Sequence, residues 1–165
     1  MKRIFTCMLL CIGILCCNAM AFAEQSILQV VKFDDVREEF KVDKKKFVVF
    51  FTSWCGHCKD RLPAVADLVS RTKEAFYFIS LDENLEYAEN FLKSLKVKKG
   101  KNMKFFIFDN EDSIAKFVYQ FTPTYSGSVP YLMVLDKDNV LHYEGSLSLN
   151  SITSLLGKEI GGVPK

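Results

Sequence analysis

The chain has 165 residues, with 22 lysine and arginine residues against 20 acidic ones, and 49% of its residues are hydrophobic. This length suits one compact domain, and the near balance of charge argues against the basic surface that nucleic-acid-binding proteins need. Four of the six cysteines lie within the first 17 residues. Only two cysteines are left for the rest of the chain, too few for a framework of structural disulfides.

The first 23 residues have the pattern of a secretory signal peptide. Lys2 and Arg3 form a basic start, and an apolar run then leads to an Ala-Phe-Ala cleavage site that ends at Ala23. We predict a cleaved leader over residues 1–23 and a single mature domain over residues 24–165, with about 20 charges of each sign. An uncleaved leader that anchors the protein is the alternative, because the uncharged stretch is long enough to span a bilayer.

Hydrophobic patterning predicts alternating strands and helices along the mature chain. A short strand before Asp34 is followed by a helix that begins near this residue. Alternation of strands with helices implies a parallel α/β core built from right-handed crossovers, and the last two strands form a hairpin. The later predicted strands are residues 47–52, 76–81, 103–108, 131–135 and 140–144. The later predicted helices are residues 56–73, 85–97, 113–121 and 147–156. Pro63 lies inside the first of these helices.

Two cysteines, Cys55 and Cys58, follow directly after the strand predicted at residues 47–52. A helix that begins near Cys55 places this sulfur where free N–H groups and the helix dipole stabilise a thiolate. Such a thiolate is nucleophilic near neutral pH. Cys58 lies one turn further on the same helix face, where it can attack a mixed disulfide formed at Cys55. The pair predicts thiol–disulfide exchange with a substrate, carried out by these two side chains and without a cofactor.

The run Trp-Cys-Gly-His-Cys-Lys at residues 54–59, with Pro63 five residues beyond the second cysteine, resembles the active-site segment of thioredoxin-fold oxidoreductases. The segments 58–63 and 80–83 are similar to those of the TlpA and ResA-like periplasmic branch. The resemblance covers about residues 46–156. It implies a thioredoxin fold, in which helices flank a central mixed sheet, and together with the leader it implies the bacterial periplasm.

The resemblance also implies roles for residues around the catalytic pair Cys55 and Cys58. Trp54, Val129 and Pro130 would bind the substrate, with the Val129–Pro130 peptide bond in the cis form and facing the cysteines. The expected partners are protein clients with thiols or disulfides, together with a membrane or soluble redox protein that recycles the pair.

We predict that Gly56, His57 and Arg61 tune the redox potential. A histidine beside Cys55 stabilises its thiolate and makes the disulfide more oxidising. The same four-residue motif occurs in protein disulfide isomerase, whose potential is about −180 mV against about −270 mV for thioredoxin. Arg61 stands where ResA-like reductases usually carry glutamate, and it lowers thiol pKa values only if it turns inward. The motif favours oxidation or isomerisation and the TlpA-like frame favours reduction, so the direction of electron flow stays open.

Two further observations bear on function. Val49 occupies the position at which thioredoxins usually carry a buried acid, six residues before the first cysteine. Cys55, Cys58, His57 and His142 amount to the ligand inventory of a metal site, but His57 lies between the cysteines and His142 lies on a distant predicted strand, so we predict no metal site. The alternative function is copper handling or cytochrome maturation through the two thiolates, since soft thiolates suit Cu(I).

Overall fold

The computed structural model describes residues 26–157, in which six strands and five helices alternate. The predicted leader, residues 1–23, lies outside the described residues. None of the helices within residues 26–157 has the length and apolar character needed to cross a membrane. The strands are β1 (Gln29–Val31), β2 (Lys46–Phe51), β3 (Ala75–Ser80), β4 (Met103–Phe108), β5 (Tyr131–Leu135) and β6 (Leu141–Ser146). The helices are α1 (Phe33–Glu39), α2 (Gly56–Val69), α3 (Leu85–Ser94), α4 (Glu111–Phe121) and α5 (Leu149–Leu156).

The six strands form one mixed sheet in the order β1-β4-β3-β2-β5-β6. Strand β2 pairs with β3 in parallel and with β5 in the antiparallel direction. The carboxyl ends of β2 and β3 and the amino end of β5 therefore meet at one edge of the sheet. This arrangement confirms the predicted α/β fold with a central mixed sheet, and it brings the segments that follow β2 and precede β5 together.

Strand β2 is buried on both faces, as its continuous apolar sequence predicts. Phe47, Val49 and Phe51 face a hydrophobic cluster shared with α2, α3 and α5. Val48 and Phe50 face a second cluster shared with α1 and α4. Val49 therefore lies in a wholly hydrophobic setting, and the core beneath the cysteines is built without a carboxylate at this position.

Four helices have boundaries that differ from the predicted ones. Helix α4 begins two residues earlier, at Glu111, where the side chain of the cap residue Asn110 accepts the Ser113 N–H at 2.9 Å.

Each of the other three differences also has a physical cause. Helix α2 ends at Val69 rather than at residue 73, because the side-chain amide of Asn102 donates to the Val69 carbonyl at 2.9 Å. Helix α3 ends at Ser94, since Lys96 adopts a positive φ of 52°. Helix α5 begins two residues later than predicted, after the cap at Ser148.

Asn102 connects the end of α2 to the start of β3, because its amide nitrogen also donates to the Glu74 carbonyl at 3.0 Å. We expect Asn102→Ala to lower the free energy of unfolding by about 2 kcal/mol, since it removes the hydrogen bonds that the side-chain amide donates to the Val69 and Glu74 carbonyls. Denaturant unfolding measures this loss. The neighbouring exposed Lys101→Ala should change stability by less than about 0.5 kcal/mol, and equal effects of the two substitutions would contradict the assignment.

Candidate active site

Cys55 and Cys58 form a disulfide at the start of α2, with their Cα atoms 5.2 Å apart. Cys55 is the N-cap residue of the helix, and its extended backbone (φ −82°, ψ 106°) turns its sulfur toward the first helical turn. The Cys58 N–H donates to the Cys55 sulfur at 3.0 Å. The helix start predicted from the sequence is confirmed, and the helix terminus supplies both a donor and a favourable dipole to a thiolate at Cys55.

The two cysteines differ in their access to solvent. Cys55 is 6% exposed and Cys58 is fully buried. Trp54, Gly56 and His57 are all exposed around Cys55, and Trp54 has 75% of its surface open. A client can therefore approach Cys55 more readily than Cys58, which favours Cys55 as the attacking sulfur.

Pro130 lies at the sheet edge that carries the cysteines. The antiparallel register pairs Phe50 with Tyr131, which sets Pro130 opposite the last residue of β2. The Val129–Pro130 peptide bond is cis, as the resemblance implies. Val129 packs against the hydrophobic cluster that contains both cysteines. The substrate-binding roles of Trp54, Val129 and Pro130 stay predictions.

A carboxylate that the sequence analysis did not assign, Asp82, lies directly beside the cysteine turn. Its two oxygens accept the Ser53 N–H at 2.9 and 3.1 Å and the Ser53 hydroxyl at 2.7 Å. Asp82 is 7% exposed and lies two residues after the end of β3. The available signal was an acidic residue directly after the strand predicted at residues 76–81, because residues that follow neighbouring parallel strands meet at one edge of the sheet.

Glu144, on β6, holds the segment that leads to Pro130. Its carboxylate accepts from the hydroxyls of Thr122 at 2.8 Å, Tyr131 at 2.7 Å and Thr124. The hydrogen bond from Thr124, with those from Tyr131 and Thr122, lowers the pKa of Glu144 despite its burial. Burial raises the pKa of Tyr131 to about 12. An ionised Glu144 thus binds both ends of the loop over residues 122–130, a contact that connects residues far apart in sequence and has no local signature.

Arg61 makes a contact that the sequence did not predict. Its guanidinium donates to the Leu147 carbonyl, and the Leu147 N–H donates to the Pro130 carbonyl at 3.1 Å. The side chain is exposed on α2 and connects this helix to the segment beside Pro130. The redox-tuning roles of Arg61, Gly56 and His57 stay predictions.

A Cβ added at Gly56 would meet no atom within 4 Å, so space alone does not require glycine there.

The second histidine, His142, lies on the edge strand β6. Its Nε2 is 2.9 Å from the Asp136 carboxylate. Across residues 26–157 no group of three or more histidine, cysteine or acidic side chains is arranged to hold a metal ion. The structure therefore does not favour copper handling over disulfide exchange.

A family model described as thioredoxin-like matches residues 43–141 of the chain. A search of curated protein sequences found no match. Among solved structures, the thioredoxin domain of a thiol-disulfide oxidoreductase from Bacteroides vulgatus has a TM-score of 0.56 at 15% identity, over 73% of this chain and 84% of that one. An exposed lipoprotein thioredoxin from Streptococcus pneumoniae has a TM-score of 0.56 at 16% identity, over 77% and 95%. A thiol-disulfide isomerase from Corynebacterium glutamicum has a TM-score of 0.54 at 14% identity, over 73% and 82%.

The lowered pKa of Glu144 predicts a pH-dependent contribution to stability. The folded-state pKa lies below the ordinary value of 4.5, so this contribution is complete above about pH 4.5 and is lost as the pH falls through the folded value. We expect Glu144→Gln to lower the free energy of unfolding by about 1–3 kcal/mol near neutral pH and by less in acid.

Denaturant unfolding of the Glu144→Gln variant across this pH range measures the difference, with the exposed Glu86→Gln as control. A difference from the unmodified protein that does not vary with pH would contradict the role of the ionised carboxylate.

Proposed function

The chain belongs to the thioredoxin-like family, and we propose that it is an exported thiol:disulfide oxidoreductase that exchanges disulfides with protein clients through Cys55 and Cys58. The observation that carries this proposal is the placement of Cys55. Its sulfur caps helix α2, accepts the Cys58 N–H at 3.0 Å and belongs to the more exposed residue of the pair. These are the conditions under which a cysteine becomes an accessible and stabilised thiolate.

In the reducing direction, the Cys55 thiolate attacks one sulfur of a client disulfide and releases the other as a thiolate. The Cys58 thiol then loses its proton and its sulfur attacks Cys55, which forms the Cys55–Cys58 disulfide and releases the second client sulfur. Two electrons pass to the client, which takes up two protons. The oxidising direction reverses each step. The reduction potentials of the client and of the protein that recycles the pair determine which direction runs.

The client would lie in an extended conformation along the edge formed by Val129 and Pro130. The amino end of β5 and the cysteine turn share this edge, so a backbone that pairs there lies beside Cys55. The exposed ring of Trp54, the residue before Cys55, would add a hydrophobic contact with the client. The binding mode relies mainly on the client backbone, which suits an enzyme that accepts many sequences.

The leader predicted at residues 1–23 supports export, and the periplasm is the proposed location. A compartment in which disulfides form and persist suits an exported protein with one redox-active pair. The similarity of the segments 58–63 and 80–83 supports placement in the TlpA and ResA-like branch. A further redox protein, soluble or in the membrane, would return the pair to its starting state after each turnover.

Cys58→Ser is expected to accumulate mixed disulfides with clients, because Cys55 can still attack but no resolving sulfur remains. Cys55→Ser should accumulate far fewer, since the remaining sulfur is fully buried. Non-reducing electrophoresis of both variants after expression with the leader intact measures the adducts. Equal trapping by the two variants would show that the roles of the sulfurs are wrongly assigned.

His57→Pro is expected to lower the reduction potential by tens of millivolts, because it removes a residue that stabilises the thiolate; about 30 mV corresponds to about 1.4 kcal/mol. Equilibration with glutathione at several redox ratios measures the potential. His142→Gln is the matched control, since His142 pairs with Asp136 on the β5–β6 hairpin. An unchanged potential in the His57 variant would show that His57 does not tune the reduction potential.

A further inference from the structure

We propose that Asp82 is a positioning residue for Cys55, which it controls through the turn that joins β2 to α2. The inference rests on the proposed function, because it explains how the attacking sulfur is held at the helix terminus. Asp82 itself acts through Ser53 rather than on the reacting atoms.

The turn has few other restraints. The Cys55 N–H donates to the Thr52 carbonyl at 3.3 Å, which closes the turn. The Thr52 hydroxyl is buried and has no hydrogen-bond partner among the described residues, so it does not fix the turn. Ser53 is bound to Asp82 by both its backbone N–H and its hydroxyl. The orientation of the turn relative to the sheet therefore depends on the Asp82 carboxylate.

Asp82 is itself fixed to the sheet. The Ser80 hydroxyl donates to the Asp82 carboxylate at 2.7 Å. The Asp82 N–H donates to the hydroxyl oxygen of Ser80 at 3.1 Å. The intervening Leu81 N–H donates to the Phe51 carbonyl at 2.9 Å, which continues the pairing of β3 with β2. Asp82 thus connects the paired ends of β2 and β3 to Ser53, which lies two residues before Cys55.

The donors around Asp82 match an ionised carboxylate of this size. An ionised carboxylate only accepts hydrogen bonds, and here an N–H and two hydroxyls donate to it. An amide would bring its own N–H groups against these donors. A glutamate would keep the charge, but its additional methylene would displace the carboxylate from Ser53. The charge and the position of the carboxylate can therefore be varied separately.

If Asp82 acts by positioning the turn, its loss changes the pKa of the Cys55 thiol in one direction. If Asp82 acts only through its charge, its loss changes this pKa in the opposite direction. A turn released from Asp82 would let the sulfur leave the helix terminus, and its thiol pKa would rise because the stabilisation of the thiolate weakens. A purely electrostatic role would give the reverse result, since the loss of a nearby negative charge lowers a thiol pKa. The sign of the pKa change thus distinguishes positioning from charge alone.

The experiment compares Asp82→Glu and Asp82→Asn in a Cys58→Ser background, so that Cys55 is the only active-site thiol. The thiolate absorbance over a pH titration gives the Cys55 pKa, and the rate of alkylation at neutral pH gives its reactivity. We expect Asp82→Glu to raise the pKa by about half a unit to one unit. Asp82→Asn should raise it by less, because the lost charge acts in the opposite direction. Alkylation at neutral pH should slow by about two- to fivefold in Asp82→Glu.

Glu83→Gln is the matched control, because it removes an exposed carboxylate next in sequence to Asp82. It should leave the Cys55 pKa unchanged. An unchanged pKa in Asp82→Glu, or a lowered pKa in Asp82→Asn, would overturn the positioning role.

If circular dichroism shows that the Asp82 variants do not fold, Ser53→Ala decides the question, since it keeps the carboxylate and removes one of its donors. A raised Cys55 pKa in Ser53→Ala supports the proposal, and an unchanged pKa overturns it. No client takes part in these measurements, so failure of the proposed function would appear separately, as an absence of exchange with protein disulfides.

Discussion

The capping of helix α2 by the Cys55 sulfur is the interaction on which the site depends. An N-cap side chain must accept an N–H from the first turn, and here a sulfur takes the role that serine, threonine or aspartate usually fills. The same contact that starts the helix therefore provides the stabilisation that a thiolate needs. Because Cys58 donates this N–H, the backbone of the second cysteine stabilises the sulfur of the first.

The polar groups that support this contact lie at the edge of the sheet, and the core that packs under the cysteines is hydrophobic. Val49 makes the region beneath the cysteines hydrophobic, and the carboxylates near the site lie on neighbouring strands or just beyond them. Asp82 fixes the turn before Cys55, and Glu144 fixes the loop that leads to Pro130. Hydroxyl and backbone donors bind the buried Asp82, and hydroxyls bind the half-buried Glu144, which offsets the cost of removing their charges from water. The turn before Cys55 and the loop before Pro130 are thus held by separate sets of contacts.

The sequence was sufficient for features that depend on local pattern. Strands β4 and β5 have the predicted boundaries, and the start of α2 follows from the position of the cysteines after a buried strand. The sequence was insufficient where a distant side chain decides the outcome. Asn102 ends a helix some 30 residues earlier in the chain, and neither its side chain nor that of Val69 signals this contact locally. The partner of Arg61 depends in the same way on the fold, since a helical pattern does not show where a long side chain on the surface will bind.

A redox titration of Cys55 and Cys58 against glutathione distinguishes a redox-active pair from a structural disulfide. For a redox-active pair we expect a reversible two-electron transition, with a potential nearer to about −180 mV than to about −270 mV because of the Cys-Gly-His-Cys motif. A structural disulfide typically has a potential below about −300 mV and resists reduction by glutathione. A pair that stays fully oxidised throughout the titration would show that Cys55 and Cys58 form a structural disulfide and would rule out the proposed exchange.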